Sequence, residues 1–336
     1  MSDRSTSPIA ETPSTTAENA PERPRLGFLQ RARRSVARWF DSSADLGVHF
    51  DATSKKIDWI RSIPFFGVHA LCLAVIWVKW SWIALGVAAL LYFVRMFAVT
   101  GFYHRYFSHR TFKTSRAFQF VMAVAGNACA QRGPLWWAAH HRHHHKHSDK
   151  EEDLHSPHHG GFIYSHMLWI MTPKNVPTHF KAIADFAKFP ELRFLDRFDT
   201  LVPFLLGAFL FFLGLTLDLI FPSLGTSGLQ MLVWGFFIST VVLFHATCTI
   251  NSLSHVFGRR RYKTGDHSRN SLALALLTLG EGWHNNHHHY PASTRQGFYW
   301  WEIDITYYML RVLSWFGLIW DLKPVPVGHR ETGRLR

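Results

Sequence analysis

The sequence predicts an all-α integral membrane protein: about four transmembrane helices, paired as two hairpins, capped by a helical lobe that holds a histidine-rich metal site. Three observations predict it. Four long apolar stretches punctuate the chain, they come in two tight pairs, and most of the 23 histidines lie in the polar segments between and after them.

Each element follows in order. Residues 1–58 are rich in Ser, Thr, Pro, Ala and Arg without apolar periodicity, and read as a disordered basic tail. Within it, Arg31 to Arg38 with Trp39 and Phe40 fits an interfacial helix as well as a solvated linker. No apolar secretory signal is visible near Met1. The spans lie near 63–78, 80–100, 201–221 and 229–250. A crossing needs about 20 mainly apolar residues. The last three stretches meet this, and the first falls short at its ends. Trp77, Trp80, Trp82 and Trp234 flank them as interfacial aromatics do. Arg95, inside the second span, is costly unless it faces a polar interior or snorkels to the interface.

A turn at Lys79 joins the first pair of spans, and Pro222 to Gly228 joins the second. The N-terminal region, the long middle segment and the C-terminal region therefore share one face. Their Lys and Arg content makes that face cytoplasmic. With no organelle signal, a bacterial inner membrane is the expected location. Residues 117–130 and 298–320 read as helices lying against the membrane face or the lobe. Residues 59–325 form one domain, and 326–336 a C-terminal tail.

Composition narrows the function. The net charge is +13 and hydrophobic residues make up 48%. The mean hydropathy of −0.02 averages apolar spans with polar segments. The basic excess suits an anionic membrane or substrate, and no basic–aromatic reading motif argues for nucleic acid. Cys72, Cys129 and Cys248 show no C-x-x-C spacing and read as buried small hydrophobes.

The histidines carry the chemistry. Box one is H-R-Y-F-S-H (His104 to His109), box two H-R-H-H-H (His141 to His145) and box three H-N-N-H-H (His284 to His288). His141, His144 and His145 stand at i, i+3 and i+4, as do His284, His287 and His288. On a helix such positions share a face, so each box presents three imidazoles to one side. His104 and His109, five apart, share a face less well and are expected to serve two different metals. Eight imidazoles are too many for one ion. Imidazole suits zinc, copper, iron and nickel, so ligand type does not choose among them. Asn251 and His255, i and i+4 at the end of the fourth span, are expected to face the same site. His140, His143, His147 and His289 adjoin the boxes and spacing does not separate them from ligands. His155, His158, His159 and His166 are candidates to orient ligands. His49, His69, His179 and His267 read as structural or exposed.

These boxes resemble those of membrane fatty acyl desaturases of the stearoyl-CoA (acyl-CoA delta-9) type. So do N-S-L-S-H-V-F-G (Asn251 to Gly258), G-E-G-W-H-N-N-H-H-H-Y-P (Gly280 to Pro291), H-S-P-H-H-G-G-F (His155 to Phe162) and W-E-I-D-I-T (Trp301 to Thr306). The resemblance implies a di-iron centre with O2 as co-substrate, held by His104, His109, His141, His144, His145, His255, His284, His287 and His288, with Asn251 binding through water. It implies that a cis double bond is placed in a saturated acyl chain held in an apolar tunnel. Animal acyl-CoA enzymes carry a charged pair where Ala139 and His140 stand here. The acyl carrier is therefore open among CoA, carrier protein and phospholipid, with acyl-CoA favoured by resemblance. Arg259 to Arg261 and Lys263 would attract any of these anions. With no fused redox domain visible, electrons are expected from a separate ferredoxin, flavoprotein reductase or cytochrome-b5-type donor.

Other readings compete. A hydroxylase on the same scaffold begins with the same hydrogen abstraction. A metal transporter or sensor predicts ionisable residues along several spans, whereas these spans are largely apolar. A structural zinc protein is the plainest alternative.

Overall fold

The computed structural model describes residues 33, 36–45 and 54–335. His49, the first part of the expected tail and residues 31, 32, 34 and 35 of its Arg-rich piece lie outside the described residues.

Among the described residues the protein is mostly helical, with a single two-stranded pairing. Four helices are long and apolar enough to cross a membrane: Trp59–Val78, Trp82–Ser108, Leu201–Ile220 and Gly228–His255. Their outward side chains are apolar and uncovered, among them Ile76, Trp77, Trp82, Phe209 and Leu219. A water-soluble chain buries such a band; a lipid-facing one need not. The protein is thus an integral membrane protein with two helical hairpins.

The second and fourth spans run beyond their apolar stretches, to Ser108 and His255. These extensions carry box one and the Asn251–His255 pair into the lobe. Helix Arg116–Asn127 follows, capped by Ser115, and then helix Pro134–His147 with box two. Arg95 is buried: it donates to Ala128 O at 3.1 Å and to Thr240 Oγ1 at 2.8 Å, which settles its orientation toward the protein interior.

The C-terminal region differs from a continuous helix over 298–320. The helix is confined to Ile305–Trp315, because Asp304 caps it by accepting from Tyr307 N–H. The Glu302 carboxylate before it accepts from Asn286 at 3.0 Å. Ile319–Trp320 then pairs antiparallel with Lys113–Thr114. Both flanks also depart from free tails. Residues 36–45 are largely helical, with Ser42 Oγ donating to Asp196 O at 3.0 Å and Arg197 to Asp41 at 2.7 Å. Residues 327–335 dock on the lobe through Lys263 N–H to Gly333 O, 2.8 Å. Backbone groups and polar side chains outside any helical period make these contacts, so pattern alone did not predict them.

Candidate metal centre

Box one sits on a π-helical segment, Ala98–Ser108, continuous with the second span. Its i→i+5 bonding continues through His109 N–H, which donates to His104 O at 3.2 Å. Residues five apart are therefore brought toward one face, and both imidazoles reach one group. This corrects the expectation of two different metals, which assumed α-helical spacing.

Box two lies on helix Pro134–His147, whose start is held by a buried carboxylate. Asp196 Oδ1 accepts from Trp136 N–H at 2.7 Å, and a Cβ on Gly133 would stand 2.3 Å from Asp196 Cα. The box-two arginine ties this helix to box one. Arg142 donates to Phe107 O at 2.7 Å and Ser108 O at 2.9 Å, and forks onto Asp185 at 2.9 Å. Box three is a short helix, His284–His289, clamped by its asparagines. Asn285 Oδ1 accepts from Arg261 N–H and Tyr262 N–H at 2.8 and 2.7 Å; Asn286 donates to Gln296 O at 3.0 Å.

The result is two convergent groups of ring nitrogens. His104, His109, His141, His145 and His287 form one; His144, His255, His284 and His288 form the other. Within each, the potential ligand atoms lie within 4.8 Å of one another. Each of boxes two and three divides between the groups, instead of presenting all three imidazoles to one. His141 and His145 go one way and His144 the other; His284 and His288 go one way and His287 the other. Helix geometry explains the division. Position i+4 leads position i by about 40°, whereas i+3 trails it by about 60°, so i and i+4 converge and i+3 diverges.

Carboxylates fix the ring orientation. Nδ1 of His144 bonds Asp153 at 3.0 Å, that of His255 bonds Asp149 at 2.7 Å and that of His288 bonds Asp266 at 2.6 Å. Nδ1 of His104 pairs with Glu281. Each pairing leaves Nε2 for the cluster interior, the usual arrangement behind metal-bound imidazole. His288 Nε2 is buried with no hydrogen-bond partner, which an ion there would correct. Burial and then neighbouring imidazoles hold His141, His145, His284 and His287 well below the ordinary histidine range. They are neutral, with lone pairs free to ligate. Burial pushes Asp149, Asp153 and Asp266 up, but their histidine partners pull each below the ordinary carboxylate range. The donor set fits a pair of cations.

The remaining expected residues fall as follows. Asn251 borders a 40 Å³ cavity that also touches His104, His141, His144 and His284. That is room for a water between the groups. His140 lies outside both groups, bonds Trp136 O at 2.9 Å, and burial first of all keeps it down at about 3. His143 bonds Glu152 O, and His289 bonds His329 O. His155 stacks on His144 at 4.4 Å, and His158 bonds His255 O at 3.2 Å. His159 bonds Asp149 O and His166 bonds Ser252 Oγ, both at 2.9 Å. Sequence reasoning missed the four carboxylates. Glu281, Asp149 and Asp153 stand close to boxes two and three, which was a usable signal; Asp266, 22 residues before His288, gave none.

A second cavity, of 290 Å³, runs down the fourth span from Phe236 through Thr240, Phe244 and Thr247 to Asn251. At a rise of about 1.5 Å per residue this is roughly 20 Å. Phe65, Val68, Ile170 and Met171 add apolar wall, and Trp137 and His141 bring it to the histidines. Arg38, Arg61 and Arg132 line it with Asp199.

A long apolar cavity ending at a polyhistidine centre agrees with what the chain is similar to. Residues 80–318 match the family model described as fatty acid desaturase. The chain belongs to the fatty acid desaturase family. It is accordingly an oxidoreductase that desaturates fatty acids. Among curated relatives of this desaturase is an acyl-CoA 5-desaturase of Anemone leveillei, 36% identical over 83% of this chain and 86% of its own length. Another is an sn-1 stearoyl-lipid 9-desaturase of Anabaena variabilis, 36% identical over 81% and 96%. A third is delta-9 acyl-lipid desaturase 2 of Arabidopsis thaliana, 33% identical over 96% and 99%.

Proposed function

We propose that this desaturase places a cis double bond at the delta-9 position of a saturated fatty acyl chain, using two iron ions, O2 and electrons from a separate donor. The observation that carries the reading is the meeting of two histidine groups with the end of an apolar cavity. His104, His109, His141, His145 and His287 would hold one ion. His144, His255, His284 and His288 would hold the other, with Asn251 acting through a water. When bound, the ions supply the O2 activation that an unactivated C–H bond requires.

The chain's own residues do the rest. Phe65, Val68, Phe236 and Phe244 hold the alkyl chain and exclude water, so that one C–C bond lies beside Trp137 and His141. Asp149, Asp153, Asp266 and Glu281 keep four imidazoles in the Nδ1–H tautomer. Overall the chain gives up two hydrogens, and O2 with two electrons and two protons becomes two waters. The regiochemistry is supported by the stearoyl-lipid 9- and delta-9 acyl-lipid relatives. Named relatives include both acyl-CoA and acyl-lipid enzymes, and the acyl-CoA preference rests on the resemblance to the stearoyl-CoA type. The Lys and Arg of the lobe support a cytoplasmic metal site in a bacterial inner membrane.

The test is expression in a desaturase-deficient bacterial host with gas chromatography–mass spectrometry of total fatty acids and a His144→Ala control. A new delta-9 monounsaturated acid from the wild type alone is the expected result. Hydroxy acids would move the chain to the hydroxylase reading, and no product with iron bound and a competent reductase would sink the acyl substrate. Running the reaction on stearoyl-CoA and on phospholipid vesicles assigns the carrier.

A further inference from the structure

The basic segment at Arg259 to Lys263 does not serve the acyl cavity. None of its residues lines that cavity, whose cations are Arg38, Arg61 and Arg132. It covers box three instead. Its Arg261 and Tyr262 N–H groups donate to Asn285, and the Tyr262 ring stacks on His289 at 4.1 Å and 6°. His289 directly follows His288.

Two other segments join this surface. Tyr262 Oη donates to Arg330 O at 2.9 Å, and Leu335 N–H to Arg261 O at 2.6 Å. Arg295 donates to Tyr299 O at 2.7 Å, and the Tyr299 ring takes Arg261 at 4.9 Å and Arg334 at 5.8 Å. Residues 256–270, 290–304 and 325–335 together hold eight Lys and Arg against four Asp and Glu. Of those acids Asp266, Glu302 and Asp304 are buried, which leaves Glu331 exposed. Arg261 pairs with Glu302, and Arg334 stands 3.9 Å from Glu331. The outer surface over box three therefore keeps an excess of cations, with Arg259, Lys263 and Arg334 exposed.

We propose that this surface docks the electron donor, and that the donor is a small acidic one-electron carrier protein. The proposal rests on the desaturase reading, which requires two electrons per turnover from outside the chain. Electron tunnelling falls steeply with distance, so the donor must dock close to the metal ligands. Here one aromatic layer, Tyr262 on His289, separates the cationic surface from the residue next to His288. Each encounter oxidises the carrier by one electron. Two encounters supply the pair that, with two protons, completes the reduction of O2 to water. A cationic surface facing an acidic carrier speeds encounter and fixes its orientation, and salt weakens it.

The test uses the full-length, iron-loaded protein in nanodiscs and a plant-type [2Fe–2S] ferredoxin as probe. The variant is Arg259→Glu/Lys263→Glu/Arg334→Glu. A second variant, Lys181→Glu/Lys188→Glu/Arg193→Glu, makes the same charge change at exposed cations elsewhere. Ferredoxin is expected to bind at low ionic strength, with salt and the first variant each weakening it about tenfold or more. The KM for ferredoxin should rise in step while the KM for the acyl substrate stays put, and the second variant should behave as wild type. Unchanged iron content and unfolding temperature report that the first variant is folded; the single change Lys263→Gln gives a milder second reading. Equal loss in both triple variants, wild-type binding by the first, or no ferredoxin binding by the wild type would each overturn the proposal. So would a loss confined to anionic phosphatidylglycerol vesicles, which would assign the surface to lipid. The host fatty-acid profile tests desaturation independently, so the two failures are distinguishable.

Discussion

Glu281 pairs with His104 Nδ1 through one carboxylate oxygen and accepts from Arg105 Nη2 at 3.0 Å through the other. Arg105 in turn bonds Asp304 at 2.9 Å, and Asp304 caps the helix Ile305–Trp315. One chain of charge thus runs from a box-one imidazole to the start of the last long helix, all of it buried. A charge in such a network is costly to leave unpaired.

Removing the acceptor behind a ligand is expected to weaken the metal site without removing the ligand. Glu281→Gln should lower metal affinity at the five-histidine group, and with it product yield, by about 10–100-fold. The measurement is iron per protein by plasma mass spectrometry beside fatty-acid analysis.

Asp266 supports the other group, through His288 Nδ1 at 2.6 Å. On the proposed di-iron reading, Asp266→Asn is expected to lower the iron stoichiometry from two toward one, because the five-histidine group keeps its own support. Full retention of both irons with full activity would show that the carboxylate does not set the imidazole.

The buried amide of Asn285 receives Arg261 N–H and Tyr262 N–H and donates to Tyr262 O at 3.2 Å. Asn285→Ala leaves these backbone groups without partners in a buried place. It should destabilise the lobe by about 2–4 kcal/mol. The readout is a lowered unfolding temperature of the detergent-solubilised protein.

Val241 lines the 290 Å³ cavity proposed to hold the acyl chain, well up the fourth span from Asn251. Val241→Trp shortens the space for the alkyl chain. Conversion of stearoyl substrate should fall relative to palmitoyl, seen in the product ratio when both are supplied together.

His143 lies within box two but bonds Glu152 O and belongs to neither group. His143→Ala should keep product yield within about twofold of wild type. Loss comparable to that of His144→Ala would mean that the two groups do not mark the ligands.

Much of the architecture is legible in the sequence. The apolar lengths of residues 201–221 and 229–250 dictate crossing helices, since a bilayer leaves few alternatives for backbone polar groups. Two tight hairpins then force the three boxes onto one face. One i, i+3, i+4 spacing, as in His141, His144 and His145, is a weak signal; its repetition in His284, His287 and His288, with box one on the same face, is what points to a metal site.

What the sequence by itself determined is the inventory: the spans, the side they share and the histidines that gather there. Tertiary structure decided the partition. His104 and His109 meet in one group because the segment bearing them is π-helical, and no residue pattern announces an i→i+5 bond. Box two splits because Pro134–His147 presents positions i and i+4 to one group and i+3 to the other. Asp266 finds His288 across 22 residues, and residues 36–45 and 327–335 dock through Ser42 and Gly333. These are contacts between segments far apart in the chain. Periodicity reports only which face of a segment is apolar, so such polar pairings become visible when packing brings them together.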